Sequence, residues 1–371
     1  MENKIPLVSV IIPMFNAAKF IPQTLESLLY QTMKDFEVIV VDDCSNDNSV
    51  EVVESFSERF GGRLKLVKLP KNTGSPGIPR NVGIQIACGK YISFLDSDDL
   101  YTKTALEELS TLAEKFQADV VSVDGSFRLW GGNQKSVDAP EMTDMNELTN
   151  PKNFTVKRFF CDSSLNEPTL KPETFEGRVK LFIDAPAYNF GIFSSFCRRN
   201  FLIVNQIKFP DMFAGEDQFF NFACLCLAKN FLRIPNIFYI VRPRANSIMR
   251  ELSFNPEQYF RKRVNAFIHS LIEAEKFMKD IPFFQKHLNY RYAVLDKFAF
   301  LRLDPTHKFY LNSSRGALNT IVKKEFNFHD AVASAYLFDM VNIYKIYLAR
   351  LQLENNALKE ELKKYRSAKT S

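Results

Sequence analysis

Acidic side chains stand in short groups directly behind apolar runs. Asp96-Ser97-Asp98 follows Tyr91–Leu95. Two carboxylates one residue apart at a strand end can face one site across a turn. Hard cations such as Mn²⁺ and Mg²⁺ prefer oxygen ligands of this kind and usually recruit phosphate oxygens as well. An Asp-x-Asp pair also serves as a turn or a helix cap; its place behind an apolar strand is what favours the metal reading. Asp42-Asp43 ends the run Phe36–Val41. A carboxylate there can accept hydrogen bonds from a base N–H or from ribose hydroxyls, or it can cap the helix beginning near Asn48. Glu216-Asp217 opens an apolar helical stretch far along the chain. A carboxylate so placed can act as a general base if it reaches the hydroxyl to be deprotonated, though both residue types are also ordinary in a first helical turn.

Cationic groups accompany these carboxylates. The loop from Asn72-Thr73-Gly74 to Pro79 is rich in glycine and proline and leads to Arg80-Asn81-Val82-Gly83. A guanidinium at a helix start suits an anionic diphosphate; a salt bridge to a carboxylate is the alternative. Arg242, Arg244 and Ser247 follow another strand-like run and could close over a pyrophosphate, or could form a solvated basic face. The four histidines are widely spaced in helical segments and read as structural or surface groups. The six cysteines show no Cys-x-x-Cys spacing, which signals neither a zinc site nor a disulfide framework and suits reduced thiols.

The positioning elements follow from periodicity. Short apolar strands are expected at Leu7–Ile12, Phe36–Val41, Leu64–Leu69, Tyr91–Leu95 and Asp119–Val123. Helices are expected at Lys19–Gln31, from an Asp47 cap to Phe60, at Arg80–Cys88 and from Thr102 or Thr104. Strands apolar on both faces and alternating with helices imply an α/β fold with a largely parallel sheet covered by helices. Functional side chains then collect beyond the carboxyl ends of the strands, where both Asp42-Asp43 and Asp96–Asp99 fall. Residues 124–185 show little periodicity and read as an irregular insertion near the acceptor side. Strand-like runs return at Phe193–Cys197 and Ile237–Val241, and the pattern is helical after Pro256. The expected division is 1–250 for the α/β domain, 251–335 for a helical domain and 336–371 for a helical tail. Net charge is only +5 and no basic aromatic module is present, which argues against nucleic-acid binding. No apolar stretch reaches the ~20 residues of a membrane span and Met1–Pro6 lacks signal-peptide character, so a cytoplasmic protein is expected, with a peripheral contact at the inner face of the cell membrane compatible with its charge.

Together these pieces resemble the family 2 glycosyltransferases with the GT-A fold, a Rossmann-like mixed, largely parallel sheet. The matching stretches are VSVIIPMFN, QTMKDFEVIVVDDCSNDNS, NTGSPGIPRNVGIQIACGKYISFLDSDDL and GEDQFF. The likeness covers residues 7 to about 125, is recognisable around 213–250 and is absent from the C-terminal helical part. SPGIPRN and GEDQ look most like bacterial cell-surface enzymes, including N-acetylglucosaminyltransferases that modify wall teichoic acid. The resemblance implies inverting transfer from a UDP-sugar, with GlcNAc, GalNAc or Gal as the sugar, to a hydroxyl of a surface glycan, glycolipid or teichoic-type polymer. By position, Asp43 would bind the uracil and Asp42 would support that loop. Pro13, Asn16 and Asn72 would line the nucleotide pocket, and Arg80 would contact nucleotide or diphosphate. Asp96, with Ser97 beside it, would hold ribose or sugar and share with Asp98 an Mn²⁺ or Mg²⁺ ion. Asp217 would be the base, with Glu216 contacting the acceptor, and Arg244 and Ser247 would cover the diphosphate.

Two other classes compete. A nucleotide-sugar pyrophosphorylase needs a Gly-rich, basic loop after the first strand, where this chain has Pro13-Met14-Phe15-Asn16. An inactive glycan-binding homologue is disfavoured by the intact Asp96, Asp98 and Asp217. At the far end, Val341, Tyr344, Leu348, Leu351, Asn355, Leu358, Leu362 and Tyr365 follow steps of three and four, with Glu354 and Glu361 at g and Lys359 and Arg366 at e. This seam predicts a parallel coiled coil and a homodimer through residues 341–365, with an amphipathic helix packed on its own domain as the alternative.

Overall fold

The computed structural model describes residues 5–123, 125–129, 154–158, 167–170, 174–184, 195–212, 215–242 and 256–303. Strands β1 (Val8–Met14), β2 (Phe36–Asp42), β3 (Leu64–Lys68) and β4 (Tyr91–Phe94) alternate with helices α1 (Ile21–Leu29), α2 (Ser49–Ser55) and α3 (Gly77–Ile86). Every residue of β1 and β2 is buried, as expected for a sheet covered on both faces. The period of two is still visible in the packing. Val8, Val10, Ile12 and Met14 belong to the apolar cluster on one face, and Ile11 to the cluster on the other.

The chain continues through β5 (Leu100–Tyr101), α4 (Ala105–Lys115), β6 (Val120–Val123), β7 (Gly125–Leu129), β8 (Phe154–Arg158) and β9 (Thr169–Leu170). Next come α5 (Phe175–Asp184), β10 (Ser195–Arg198), α6 (Arg199–Val204), α7 (Glu216–Leu227), β11 (Phe231–Ile234) and β12 (Tyr239–Val241). The main sheet has the order β3-β2-β1-β4-β10-β6-β11-β9. The β3-β2-β1-β4 half is parallel, and β10 runs antiparallel to both β4 and β6. A second sheet, β5-β12-β7-β8, brings β12 beside the segment that follows β4. Residues 124–185 thus contain β7, β8, β9 and α5; two of these strands pair with distant partners, which a local periodicity cannot reveal.

The strand order decides where a ligand site can form. From β1 the chain builds outward to β2 and β3, then returns to add β4 on the other side of β1. Such a reversal opens a crevice at the carboxyl ends of the strands. Asp42 and Asp43 edge it from β2, and Asp96–Asp99 from β4.

Beyond β12 lie α8 (Pro256–Lys279), α9 (Pro282–Lys286) and α10 (Leu288–Leu303). Leu271, Met278, Phe284, Val294 and Phe298 share one apolar cluster with Ile11, Ile39 and Phe94 of the sheet, so packing crosses the boundary suggested at residue 250. Phe182 of α5 joins them, with ring centroids 4.6 Å from Phe222 and 5.1 Å from Phe298. Several of the 36 phenylalanines thereby form the wall behind α7. Residues 336–371, which carry the heptad seam and the expected dimer contact, lie outside the described residues.

Helix α3 lies tight against β1, and a Cβ at Gly83 would collide with the Ile11 side chain. Replacing a helical glycine by alanine gains roughly 0.5–1 kcal/mol in backbone entropy, whereas overpacking a dense core costs about 1–3 kcal/mol. Gly83→Ala is therefore expected to lower stability, read as an earlier urea midpoint with an unchanged slope.

Candidate active site

The nucleating feature of the site is a pair of loops stitched together by polar backbone contacts. After β1 the chain turns at Asn16, whose φ of 48° lies in the left-handed region that a short amide side chain tolerates. Asn16 Oδ1 accepts the Asn46 N–H at 2.9 Å, and the Asn16 N–H donates to Ser45 Oγ at 2.9 Å. The Asp43 N–H donates to the Met14 carbonyl at 2.8 Å, next to Pro13, whose register partner on β2 is Val41. Asp42 accepts the Ser45 N–H at 3.2 Å and so braces the turn. The positional N-cap of α2 is Asn48, without a side-chain cap bond; Asp47 accepts the Ser49 N–H at 3.0 Å instead.

Asp43 is buried, and its carboxylate accepts the N–H and hydroxyl of Thr73 at 2.9 and 3.0 Å. Asn72 Nδ2 donates to the Asp43 carbonyl at 3.1 Å, closing the third loop onto the first two. Burial pushes the Asp43 carboxyl above its ordinary value, against the lowering effect of the Thr73 bonds and with a small upward push from Asp42.

Arg80 departs from the expected placement. Helix α3 starts at Gly77, with Pro76 at its cap, so Arg80 lies within the helix and not at its first residue. Its side chain is 4% exposed. Nη2 donates to Asp96 at 2.8 Å and Nη1 donates to Glu216 at 2.9 Å, joining residues 136 positions apart. The guanidinium lies 5.4 Å from the Phe209 ring, which stacks on Phe220 at 4.1 Å. Burial opposes its charge, but Asp96 and Glu216 outweigh that and hold it firmly protonated. Asn81 fixes the same neighbour by exchanging two hydrogen bonds with the Phe209 backbone, at 2.8 and 2.9 Å.

These contacts bring the start of α7 to the Asp96 turn. Gly215, the residue before α7, has φ of 91°, a conformation that needs glycine. Glu216 is buried, whereas Asp217 is half-buried and accepts the Gln218 N–H at 2.8 Å. Two carboxylates in a first turn are favoured by the helix dipole.

The Asp96 turn is held from behind. The Asp96 N–H donates to the Tyr239 hydroxyl at 3.0 Å. Ser97 is buried and its carbonyl accepts the Thr24 hydroxyl at 2.9 Å. Arg242, read from sequence as a counter-charge over the site, is 3% exposed and works as an internal strut. It donates to the Phe20 carbonyl at 3.0 Å, to Thr24 Oγ1 at 2.9 Å, to Gln23 Oε1 and to the Asp98 carbonyl. Its N–H donates to Asp99 Oδ1 at 2.8 Å. Arg244 and Ser247 lie outside the described residues. Thr73, Asp99, Tyr239 and the strut role of Arg242 were not singled out from sequence. Only Asp99 carried a signal, as the last member of an acidic run; the others become neighbours through folding alone.

Asp96 and Asp98 are half-buried at this turn. Among the described residues no group of three or more His, Cys, Asp or Glu could hold a metal ion. An all-oxygen pair of this kind fits Mn²⁺ or Mg²⁺, which bind through one or two carboxylates and leave other positions to water and phosphate oxygens.

Residues 9–165 match the sequence model of the family described as glycosyl transferase family 2. Among similar proteins, the chain is 29% identical over 266 residues to EpsJ of Bacillus subtilis, described as an uncharacterized glycosyltransferase, covering 71% of this chain and 69% of that one. It is 36% identical over 147 residues to the poly(ribitol-phosphate) beta-N-acetylglucosaminyltransferase TarS of Staphylococcus aureus, covering 37% of this chain and a 25% share of TarS. For the S. aureus poly(ribitol-phosphate) beta-N-acetylglucosaminyltransferase TarP the identity is 39% over 116 residues, with 31% of this chain and 35% of that one covered. The crystal structure of TarS residues 1–349 in complex with UDP-GlcNAc superposes with a TM-score of 0.59 at 23% identity, over 85% of this chain and 80% of that one, which establishes the shared GT-A fold.

Asp99 yields a pH prediction. Burial, then Asp98 and Asp96, raise its carboxyl well above the ordinary value. A carboxyl raised on folding weakens the fold once ionised; its penalty is absent below the unfolded pKa and full above the folded one. Asp99→Asn, which keeps an acceptor for the Arg242 N–H, is expected to raise the melting temperature at pH 7. It should also flatten the gain in stability on acidification, measured by thermal scans from pH 8 to pH 4.

Proposed function

Residues 9–165 of this chain are a family 2 glycosyltransferase domain, and from that premise we propose that the whole protein transfers a sugar from a UDP-sugar to an acceptor hydroxyl with inversion at the anomeric carbon. The observation that carries the proposal is that Arg80 joins Asp96, just beyond β4, to Glu216 at the start of α7, while Asp42-Asp43 stand at the end of β2 in the same parallel half of the sheet. UDP-GlcNAc is the first donor to test, because TarS and TarP are named as N-acetylglucosaminyltransferases and TarS has been crystallised with UDP-GlcNAc. UDP-GalNAc and UDP-galactose follow. The acceptor class is a bacterial surface glycan, a glycolipid or a teichoic-type polymer. The reaction belongs on the cytoplasmic side, with peripheral contact at the inner face of the membrane; among the described residues no helix is long and apolar enough to cross one.

In this reading the loops at Pro13, Asn16, Asp42, Asp43 and Asn72 receive the uridine, and the Asp43 carboxylate, held in place by Thr73, would accept a base N–H. Asp96 and Ser97 bound the ribose and sugar side. Asp98, with Asp96, would hold a divalent cation, which supplies counter-charge for the departing diphosphate. Asp217 accepts the proton of the acceptor hydroxyl while that oxygen forms a bond to the anomeric carbon. The bond from that carbon to the diphosphate oxygen breaks, and UDP leaves with the electron pair. Half-buried Asp217 can meet an incoming hydroxyl, whereas buried Glu216 is committed to Arg80. Arg244 and Ser247 remain candidates for covering the diphosphate, and residues 341–365 for joining two subunits.

A donor panel tests the proposal: purified protein, Mn²⁺, a set of nucleotide sugars and detection of released nucleotide diphosphate. UDP release from a UDP-hexose or UDP-N-acetylhexosamine is expected; silence with every donor, in the presence of teichoic-type and glycolipid acceptors, would leave the inactive glycan-binding alternative. Asp217→Asn should reduce turnover by about 10²–10⁴-fold, the usual worth of a general base, with UDP affinity intact by calorimetry. Asp98→Ala should abolish the Mn²⁺ dependence of UDP binding; a variant whose UDP affinity still rises with Mn²⁺ removes Asp98 as the ligand.

A further inference from the structure

Arg80 was expected to contact nucleotide or diphosphate, with a salt bridge to a carboxylate as the alternative; in the fold its side chain is 4% exposed. One terminal nitrogen is bonded to Asp96 and the other to Glu216, at 2.8 and 2.9 Å. Its Nε is buried with no hydrogen-bond partner, and the Phe209 ring lies alongside the guanidinium. A phosphate oxygen would have to compete with these two carboxylates for the guanidinium, and Glu216, if displaced, would be left buried. The rest of α3 is committed to the same neighbour. A Cβ at Gly77 would sit 3.3 Å from Glu216 Cγ and 3.2 Å from Phe209 Cβ, and Asn81 clamps the Phe209 backbone from one turn further on.

We propose that Arg80 is a positioning residue and not a diphosphate ligand: by bridging Asp96 and Glu216 it sets the separation between the donor end of the sheet and the helix that carries Asp217. The inference rests on the reading above, in which Asp217 takes the acceptor proton. Asp217 is the next residue after Glu216 in the first turn of α7, so a shift of Glu216 moves both. A lysine could not take over the role, since a single ammonium cannot span two carboxylates as the planar fork does. Donor and acceptor sides are thus held in register by one side chain that touches neither substrate.

The test compares Arg80→Met, Glu216→Gln and the double variant in the full chain. Turnover should fall about 100-fold in each single variant, as for a misplacement of roughly 1 Å, with a much smaller loss of UDP affinity in Mn²⁺. The double variant should be no slower than the singles, because both remove one shared bridge. A large loss of UDP affinity in Arg80→Met with none in Glu216→Gln would make Arg80 a donor ligand and overturn the proposal. Amide hydrogen exchange on the protein without substrate supplies a readout that needs no donor. Faster exchange confined to residues 216–219 and 97–99 is expected. Unchanged exchange there, or acceleration spread through β2 and α1, would refute the coupling. Should Arg80→Met fail to melt cooperatively, Glu216→Gln carries the same readouts. A wild-type protein that binds UDP but uses no donor would sink the catalytic reading, while the exchange pattern would still decide the coupling.

Discussion

A guanidinium removed from water must be given compensating charge, and the Arg80 fork receives two carboxylates, from Asp96 and Glu216. Glu216 is itself buried and pairs with Arg80 at 2.9 Å. Breaking such an arrangement from one side typically costs 3–5 kcal/mol, which makes the relative position of α3, the Asp96 turn and α7 a discrete choice. The carboxylates of the crevice, Asp96, Asp98, Asp99, Glu216 and Asp217, repel one another. Arg80 and Arg242 let them stay close, one by direct pairing and the other by tying down the backbone beneath them.

The two arginines act on different joints. Arg80 spans from the sheet to a helix formed much later in the chain. Arg242, at the end of β12, reaches back to α1 through the Phe20 carbonyl, Thr24 and Gln23. The Asp96–Asp99 turn therefore sits between two internal struts, with Tyr239 adding a hydrogen bond to its first N–H. Rigidity of this order suits a site that must present carboxylates without letting them relax away from one another. The C-terminal helices contribute from behind: α8 packs on α7, and the phenylalanines of α5, α7 and α10 fill the space between.

Much of the first half of the fold was legible from local pattern. Apolar runs became β1 to β4 and β6 with boundaries shifted by a residue or so: β1, β2, β4 and β6 are buried throughout and stand out by composition alone, while the partly exposed β3 mixes apolar and lysine residues. The acidic pairs at the ends of those runs were legible for the same reason: strand ends in a parallel sheet are where polar side chains can stand together. What local pattern did not disclose was which distant strands pair. The pairing of β7 with β12 and of β9 with β11 depends on long-range register, which leaves no periodic trace. The strand-like runs at Phe193–Cys197 and Ile237–Val241 did mark β10 and β12, but not that β10 is inserted antiparallel between β4 and β6.

By itself the sequence determined the residue types that can bind oxygen-loving cations and a nucleotide, and their placement after strands, since both follow from short-range chemistry. It also placed Glu216-Asp217 at a helix start. Tertiary structure alone decided which charges face one another. Whether a guanidinium meets solvent, an anion or two carboxylates depends on packing between segments far apart in the chain; judged among their sequence neighbours, Arg80 could be a diphosphate contact or a salt-bridge partner, and Arg242 a counter-charge or part of a solvated face. Their burial comes from helix α3 beginning at Gly77 and from β12 arriving beside the Asp96 turn, events set by the fold as a whole.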